Sequence, residues 1–329
     1  MTDGLDPRGR RMLEWLRGQG IEPRRLQPMG GDASDRRYFR LHTAAGAEVV
    51  MDAPDQSQGC EAFCHVRQLM ADAGLHVPRI EAAETAAGFM RLEDLGAHDY
   101  LAAMRDGPVD ALMGDAVDAL VRLQCRGDAV SLPAYDARRL EEELALFPTW
   151  YVRRHLGVEP DARWWSRWSA GVAVLIEDMI RQPQVLVHRD YMMRNLLIAD
   201  PNPGVIDFQD AVAGPVTYDV ASLLRDAFFS LEPAAERAWV AAYRQRADAA
   251  GIPLPTDFPR ALNRTAAQRH LKVLGVFARL HHRDAKPAYL ADAPRFLDYL
   301  QRELADDPEA HDLAALVAAL PSASTGQRP

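Results

Sequence analysis

Residues 184–210 read QVLVHRDYMMRNLLIADPNPGVIDFQD, and this stretch decides how the rest of the chain is read. Three apolar runs, QVLV, NLLI and GVIDF, have the length and the flanking Pro and Gly of short strands, separated by polar loops. The first loop carries His188, Arg189 and Asp190 and closes on Asn195; Asp207 follows twelve residues after Asn195, at the end of the third run. Taken singly, each polar residue has an ordinary structural role: Asp190 could cap a turn, Asn195 could pair with backbone, and Asp207 could end a strand. Taken together, a hairpin between Asn195 and Asp207 brings an amide oxygen and a carboxylate to one point beside Asp190.

Working outward, the chain changes character near residue 95. Before it, segments at 25–29, 36–42, 47–53, 78–84 and 88–93 read as strands, punctuated by Gly30-Gly31, Gly46, Pro54 and Gly88. One helical pattern interrupts them at 57–73, with Phe63, Val66, Leu69 and Met70 on one face and Gly74 placed as its C-cap. After Gly96, helical patterns dominate, at 108–125, 136–155, 161–181, 217–230, 233–250, 257–285, 290–304 and 307–320. The expected plan is an α+β fold of two lobes: residues 1–95 as a small β-rich lobe and 96–320 as a larger helical one, with 321–329 a disordered tail. The cleft between lobes is the default site.

Composition narrows the function. The chain has 329 residues, 48% of them hydrophobic, and a formal net charge of −9, which argues against a general nucleic-acid binder. Cys60, Cys64 and Cys125 are too few and too irregularly spaced for a disulfide framework or a zinc site. The longest apolar run, Leu313–Leu320, is far short of a membrane span, so a cytoplasmic protein is expected. Lys272 and Lys286 are the only lysines, so the first 271 residues contain none.

Asp190, Asn195 and Asp207 suit one chemistry. Phosphoryl transfer needs a carboxylate to orient an attacking hydroxyl and accept its proton, and oxygen ligands for the Mg²⁺ that bridges the phosphates. The loop fits the kinase pattern H-R-D-L-x-x-x-N, with Tyr191 in place of Leu. In the first lobe, Gly30-Gly31 between two strands can bring backbone N–H groups to phosphates, although a plain hairpin turn is the commoner use of such a pair.

With those motifs in hand, the chain resembles the aminoglycoside phosphotransferase-like kinases, relatives of the protein and choline kinases. Within them it is most similar to the anomeric sugar kinases that phosphorylate N-acetylmuramate and N-acetylglucosamine at C1 in cell-wall recycling. The resemblance spans nearly the whole chain. It rests on GDASDRRYFRL (31–41), VVMDAP (49–54), GLHVPRI (74–80), GFMRLEDLG (88–96), LFPTWYVRRHLG (146–157), HRDYMMRNLL (188–197), VIDFQDAVAGPVTYDVASLLRD (205–226) and QRHLKVLGVFARL (268–280). It implies a protein-kinase-like fold that uses ATP and Mg²⁺. Asp190 would be the base, Asn195 and Asp207 the metal ligands. Gly30, Gly31, Asp32 and Ser34 would cover the phosphates, and Glu93, Asp94 and Leu95 would form the adenine hinge. Asp219 would be a buried carboxylate under the catalytic loop; a helix cap is the plainer alternative. A small amino sugar is the implied partner, with no nucleic acid, membrane or obligate protein partner.

Two departures stand out. Met192-Met193 replace the His-Ser common in the subgroup, which removes two polar groups beside the base. The third-strand lysine of kinases is missing from Ala47–Pro54, where Asp52 would itself repel phosphate. Arg36, Arg37 and Arg40, beside the Gly-Gly turn, or the metal itself, are left to replace it, with Arg37 and Arg40 the preferred pair.

For the acceptor, seven basic residues lie between Arg260 and Lys286 against Asp284 alone. Arg269, Lys272, Arg279 and Arg283 share one helical face: a solvated surface, or part of a site for the muramate carboxylate. Trp150, with Trp164, Trp165 and Trp168 nearby, is the candidate for stacking on a sugar, against a core role for the four. Arg194 and Asp210 complete the candidate acceptor residues. Rival readings are a kinase for another small hydroxyl compound (an aminoglycoside, choline or an amino alcohol) and a nucleotide-binding pseudokinase.

Overall fold

Asp6 and Pro7 open the first helix, α1 (Pro7–Gly18): proline has no N–H to leave unsatisfied, and the Asp6 carboxylate accepts the Gly9 N–H at 2.6 Å. The sequence reading assigns no element here, because Met12, Leu13 and Leu16 are diluted by four arginines. The structure, a computed structural model, describes residues 6–22, 26–30, 36–43, 46–54, 57–107 and 109–321. The expected tail after Pro321 lies outside them.

Strands β1 (Leu26–Pro28), β2 (Arg37–Thr43) and β3 (Gly46–Asp52) are followed by α2 (Ser57–Asp72), β4 (Ile80–Glu84) and β5 (Phe89–Glu93). They form one antiparallel sheet in the order β1-β2-β3-β5-β4. All five expected strands are present, and α2 ends before Gly74, whose φ of +86° supplies the left-handed turn.

Strand alternation gives the sheet two unlike faces. Phe39, Leu41, Val50 and Phe89 point toward α1 and pack on its Met12, Leu13 and Leu16. Met51, Ala53, Met90 and Leu92 point the other way, into the main core with α2 and the helical lobe. Ion pairs close both ends of the α1 side. Arg91 holds Glu48 at 2.7 Å and also donates to Gln19. Asp52, fully buried, is held by Arg8 of α1 at 2.5 Å and by Arg37 at 2.5 Å. The carboxylate that the sequence sets beside the phosphates therefore lies on the α1 face, neutralised by two guanidinium groups.

Beyond the sheet come α3 (Tyr100–Asp106), α4 (Val109–Arg126), α5 (Ala137–Leu144), a π-helix (Phe147–His155) and α6 (Ala162–Arg181). The single helix expected at 136–155 is split. Pro148 cannot donate to Leu144, and its ring crowds that carbonyl, so α5 stops there. The wider turn that follows packs on a glycine of the long central helix: a Cβ on Gly275 would lie 2.5 Å from the Leu146 carbonyl carbon.

The strand pairs β6 (Gln184–Val187) with β9 (Val212–Pro215), and β7 (Leu196–Leu197) with β8 (Gly204–Val205), frame the catalytic-loop stretch. The helices α7 (Tyr218–Leu224), α8 (Pro233–Ala249), α9 (Phe258–Asp284), α10 (Ala293–Leu304) and α11 (His311–Ala318) complete the lobe. α7 is half the expected length. Arg225 leaves helical geometry to meet Glu236 and Glu303, and Asp226 turns under the catalytic loop. Among the described residues no helix is long and apolar enough to cross a membrane.

Candidate active site

The catalytic loop is held from beneath by buried groups. Asp219, at the first turn of α7, accepts the His188 N–H at 2.6 Å and the Arg189 N–H at 3.0 Å. It caps no helix end, and burial raises its pKa to about 6. His188 is fully buried, and its Nε2 meets the Ile206 carbonyl at 3.0 Å. A carbonyl only accepts, so the proton sits on Nε2, and Nδ1 can take the Asp190 N–H at 3.3 Å. Burial depresses the His188 pKa, keeping the ring neutral in this tautomer. One imidazole thus ties the loop that carries Asp190 to the strand that delivers Asp207.

Asn195 donates from its amide nitrogen to the Asp190 carbonyl at 2.8 Å and lies 3.4 Å from Asp207 Oδ2. The two candidate metal ligands are therefore side by side, one loop away from the Asp190 carboxylate. The donation to the carbonyl directs the Asn195 amide oxygen elsewhere. An amide oxygen with a carboxylate is a hard donor set suited to Mg²⁺, which takes few protein ligands and completes its shell with water and phosphate. Arg189 and Asp207 both adopt positive φ, 76° and 65°, where a Cβ is crowded. Phe208 is buried and meets Phe63 of α2 at 4.8 Å, joining this loop to the sheet lobe.

Two supporting residues escaped the sequence reading. Asp226 accepts the Met193 N–H at 2.8 Å, and the N–H groups of Phe228 and Phe229 as well. The apolar run ending in LLRD is its only signal. Glu143 of α5 pairs with Arg189, accepts a hydrogen bond from the Tyr135 hydroxyl, and meets Lys272 Nζ at 3.2 Å. Burial pushes its pKa up, but the charges of Lys272 and Arg189 outweigh that and hold it below the ordinary value. Nothing local in the sequence connects residues 143, 189 and 272.

The other candidate residues distribute unevenly. Arg40 forms a bidentate pair with Asp94, at 2.5 and 3.0 Å, and also donates to the Gly96 carbonyl. Glu93 meets Arg79, and Leu95 lies so close to Gly204 that an added Cβ would approach it to 2.9 Å. Arg37 is taken up by Asp6 and Asp52. Among the described residues none lies within 4 Å of a Cβ placed on Gly30; Gly31, Asp32 and Ser34 lie outside the described residues. Arg194 lies 4.7 Å over the Phe228 ring, and Asp210 is exposed.

On α9 the basic face divides: Arg283 is exposed and pairs with the adjacent Asp284, as on a solvated surface, Arg279 is half-buried, and the other two turn inward. Arg269 is 2% exposed, and Lys272 is turned inward onto Glu143. Arg269 forms no hydrogen bond or ion pair with a described residue; Asp226 is the charge that acts on it, and its Nη1 is buried without a partner. Of the tryptophans, Trp164 and Trp168 stack at 5.4 Å and Trp168 stacks on Phe147, which is a core role. Trp150 takes no part in that stack and stays half-buried.

Comparison with known proteins agrees with this geometry. The model of the phosphotransferase enzyme family matches residues 25–254. A curated N-acetylmuramate/N-acetylglucosamine kinase of Pseudomonas aeruginosa is 48% identical over 304 residues, covering 92% of this chain and 90% of its own. One from Pseudomonas putida is 45% identical over 298 residues, covering 90% and 88%. Among solved structures, an ADP-bound aminoglycoside phosphotransferase has a TM-score of 0.61 at 16% identity, covering 90% of this chain and 98% of its own, a likeness of fold. The family model spans more than half of the chain, and these curated kinases are 45–48% identical to it over most of its length: the chain belongs to the phosphotransferase enzyme family.

Proposed function

We propose that the chain is an ATP-dependent kinase that transfers the γ-phosphate to the anomeric C1 hydroxyl of N-acetylmuramate or N-acetylglucosamine, in the cytoplasmic recycling of peptidoglycan. One observation carries the reading: Asp190, Asn195 and Asp207 are tied into one site by His188 and Asp219, in a chain 48% identical to a kinase of that name.

The acceptor hydroxyl lies against the Asp190 carboxylate, which orients it for in-line attack. As its oxygen bonds to the γ-phosphorus, the hydroxyl proton passes to Asp190. The bond from that phosphorus to the β–γ bridging oxygen breaks, and ADP leaves with the electron pair. Asn195 and Asp207 would hold Mg²⁺, which neutralises charge on the phosphates. Residues 1–95 form the nucleotide lobe, with Gly30, Gly31, Asp32 and Ser34 over the phosphates and Glu93 to Leu95 at the adenine. Residues 96–320 carry catalysis and the sugar. Arg269 and Lys272 are the cations assigned here to a sugar carboxylate. Arg269 Nη1 is buried without a hydrogen-bond partner among the described residues, a donor that a sugar oxygen could satisfy. Trp150, Arg194 and Asp210 complete the sugar side.

An ADP-release assay over a panel of acceptors tests this. Turnover is expected on N-acetylmuramate and N-acetylglucosamine. Turnover on choline or kanamycin with none on either sugar overturns the substrate, and nucleotide binding with no turnover on any acceptor makes the chain a scaffold.

A further inference from the structure

The first 271 residues contain no lysine, so any side-chain cation that the sheet lobe offers to the nucleotide phosphates is an arginine. Three arginines stand in or beside β2, and the sheet sorts them. Arg37 lies opposite Asp52 in the β2–β3 register, on the face of Phe39 and Val50 that packs on α1, and its guanidinium is engaged by Asp6 and Asp52. It looks away from the cleft. Arg40 lies on the cleft face, opposite Val49, but both arms of its fork are on Asp94.

Arg36 immediately precedes β2 and has the parity of Tyr38 and Arg40. Tyr38 lies opposite Met51 and packs against the main core, which fixes this as the cleft face. Arg36 hydrogen-bonds the Tyr38 hydroxyl, and the charge of Asp207 acts on the same phenol. Its charge also reaches Cys60 at the start of α2. On that face β3 presents Met51, fully buried, and Ala53, so the strand itself offers no cation. Arg36 is thus the arginine of this sheet edge that shares a neighbourhood with the metal-ligand candidate Asp207.

We propose that Arg36 is the residue that contacts the phosphates of the nucleotide, supplying from the leading edge of β2 the positive charge that a strand-three lysine supplies in other kinases. The inference rests on the kinase reading above and names one of its contacts. A guanidinium presents a planar, fixed fork to two phosphate oxygens, whereas a lysine ammonium meets them as a compact point charge. The ligand class is a nucleoside di- or triphosphate, and adenosine alone would not engage it.

Titration calorimetry with Mg-ADP and with adenosine separates the possibilities, using wild type, Arg36→Ala, Arg36→Lys and Arg37→Ala. Arg36→Ala is expected to weaken ADP about tenfold or more while leaving adenosine unchanged, as loss of a charged hydrogen-bond donor requires. Arg36→Lys should recover part of the loss, and Arg37→Ala should bind ADP as wild type does. In turnover, Arg36→Ala should raise the ATP KM without changing the sugar KM. Equal weakening of ADP and adenosine would make Arg36 a structural residue, and unchanged ADP affinity would remove it from the site; either result overturns the proposal. If wild type itself binds no Mg-ADP, the kinase reading falls first and takes this contact with it.

Discussion

At the scale of single residues, the loop spends stability to present its carboxylate. Arg189 and Asp207 hold positive φ, a conformation costing roughly 1–3 kcal/mol for a residue with a Cβ. What keeps them there is buried and fully bonded: Asp219 on two backbone N–H groups, and His188 between Ile206 and Asp190. Asp190 itself is only half-buried, and its carboxylate accepts no hydrogen bond from a described residue. The fold therefore does not need that charge. Asp190→Asn is expected to keep the melting temperature and Mg-ADP affinity of wild type. Its turnover should drop about 10²–10⁴-fold, the usual contribution of a positioned general base. Wild-type turnover in the variant removes Asp190 from the mechanism.

At the scale of elements, the sequence was most legible where period and punctuation agreed. The five strands, α2 with its closing Gly74, and α4, α6, α8 and α9 lie where apolar spacing puts them. It was least legible where distant contacts override local preference. α7 is cut short because Arg225 and Asp226 are needed under the loop, and 136–155 breaks because Pro148 acts on Leu144. Helix α1 was the largest omission, and it changes how strand three is read. Parity alone puts Asp52 on one face or the other; only α1, arriving with Arg8, shows which face is which. Arg8→Ala leaves one oxygen of a fully buried carboxylate without its partner. About 1–3 kcal/mol of stability should be lost, read as a lower urea midpoint. The ATP KM should not move, because Asp52 faces α1. A raised ATP KM at unchanged stability would place Asp52 on the cleft side.

At the scale of the molecule, the catalytic loop could be read from one stretch of chain, but the network around it could not. Glu143, Arg189 and Lys272 come from three distant segments and meet only because α5, the loop and α9 pack together. The same packing contributes to the response of the fold to acid. His155 ends the π-helix, and His281 and His282 lie near the end of α9, with ring centroids 4.5–6.2 Å apart. Burial, and then the neighbouring imidazoles, hold His155 and His282 below the ordinary histidine value; Arg154 adds to this at His282. Below about pH 6.5 the unfolded chain takes up protons that the native joint refuses. The stability these rings contribute is therefore complete above that pH and is lost as pH falls from it toward their folded pKa values. Asp219, raised to about 6, works in the opposite sense, because its native state binds the proton more tightly. A variant is needed to separate the two. The fall in melting temperature between pH 7.5 and 5.5 should be shallower for His282→Gln than for wild type, with no difference above pH 7.5. Parallel curves across that range would mean that the histidine joint bears none of the acid response.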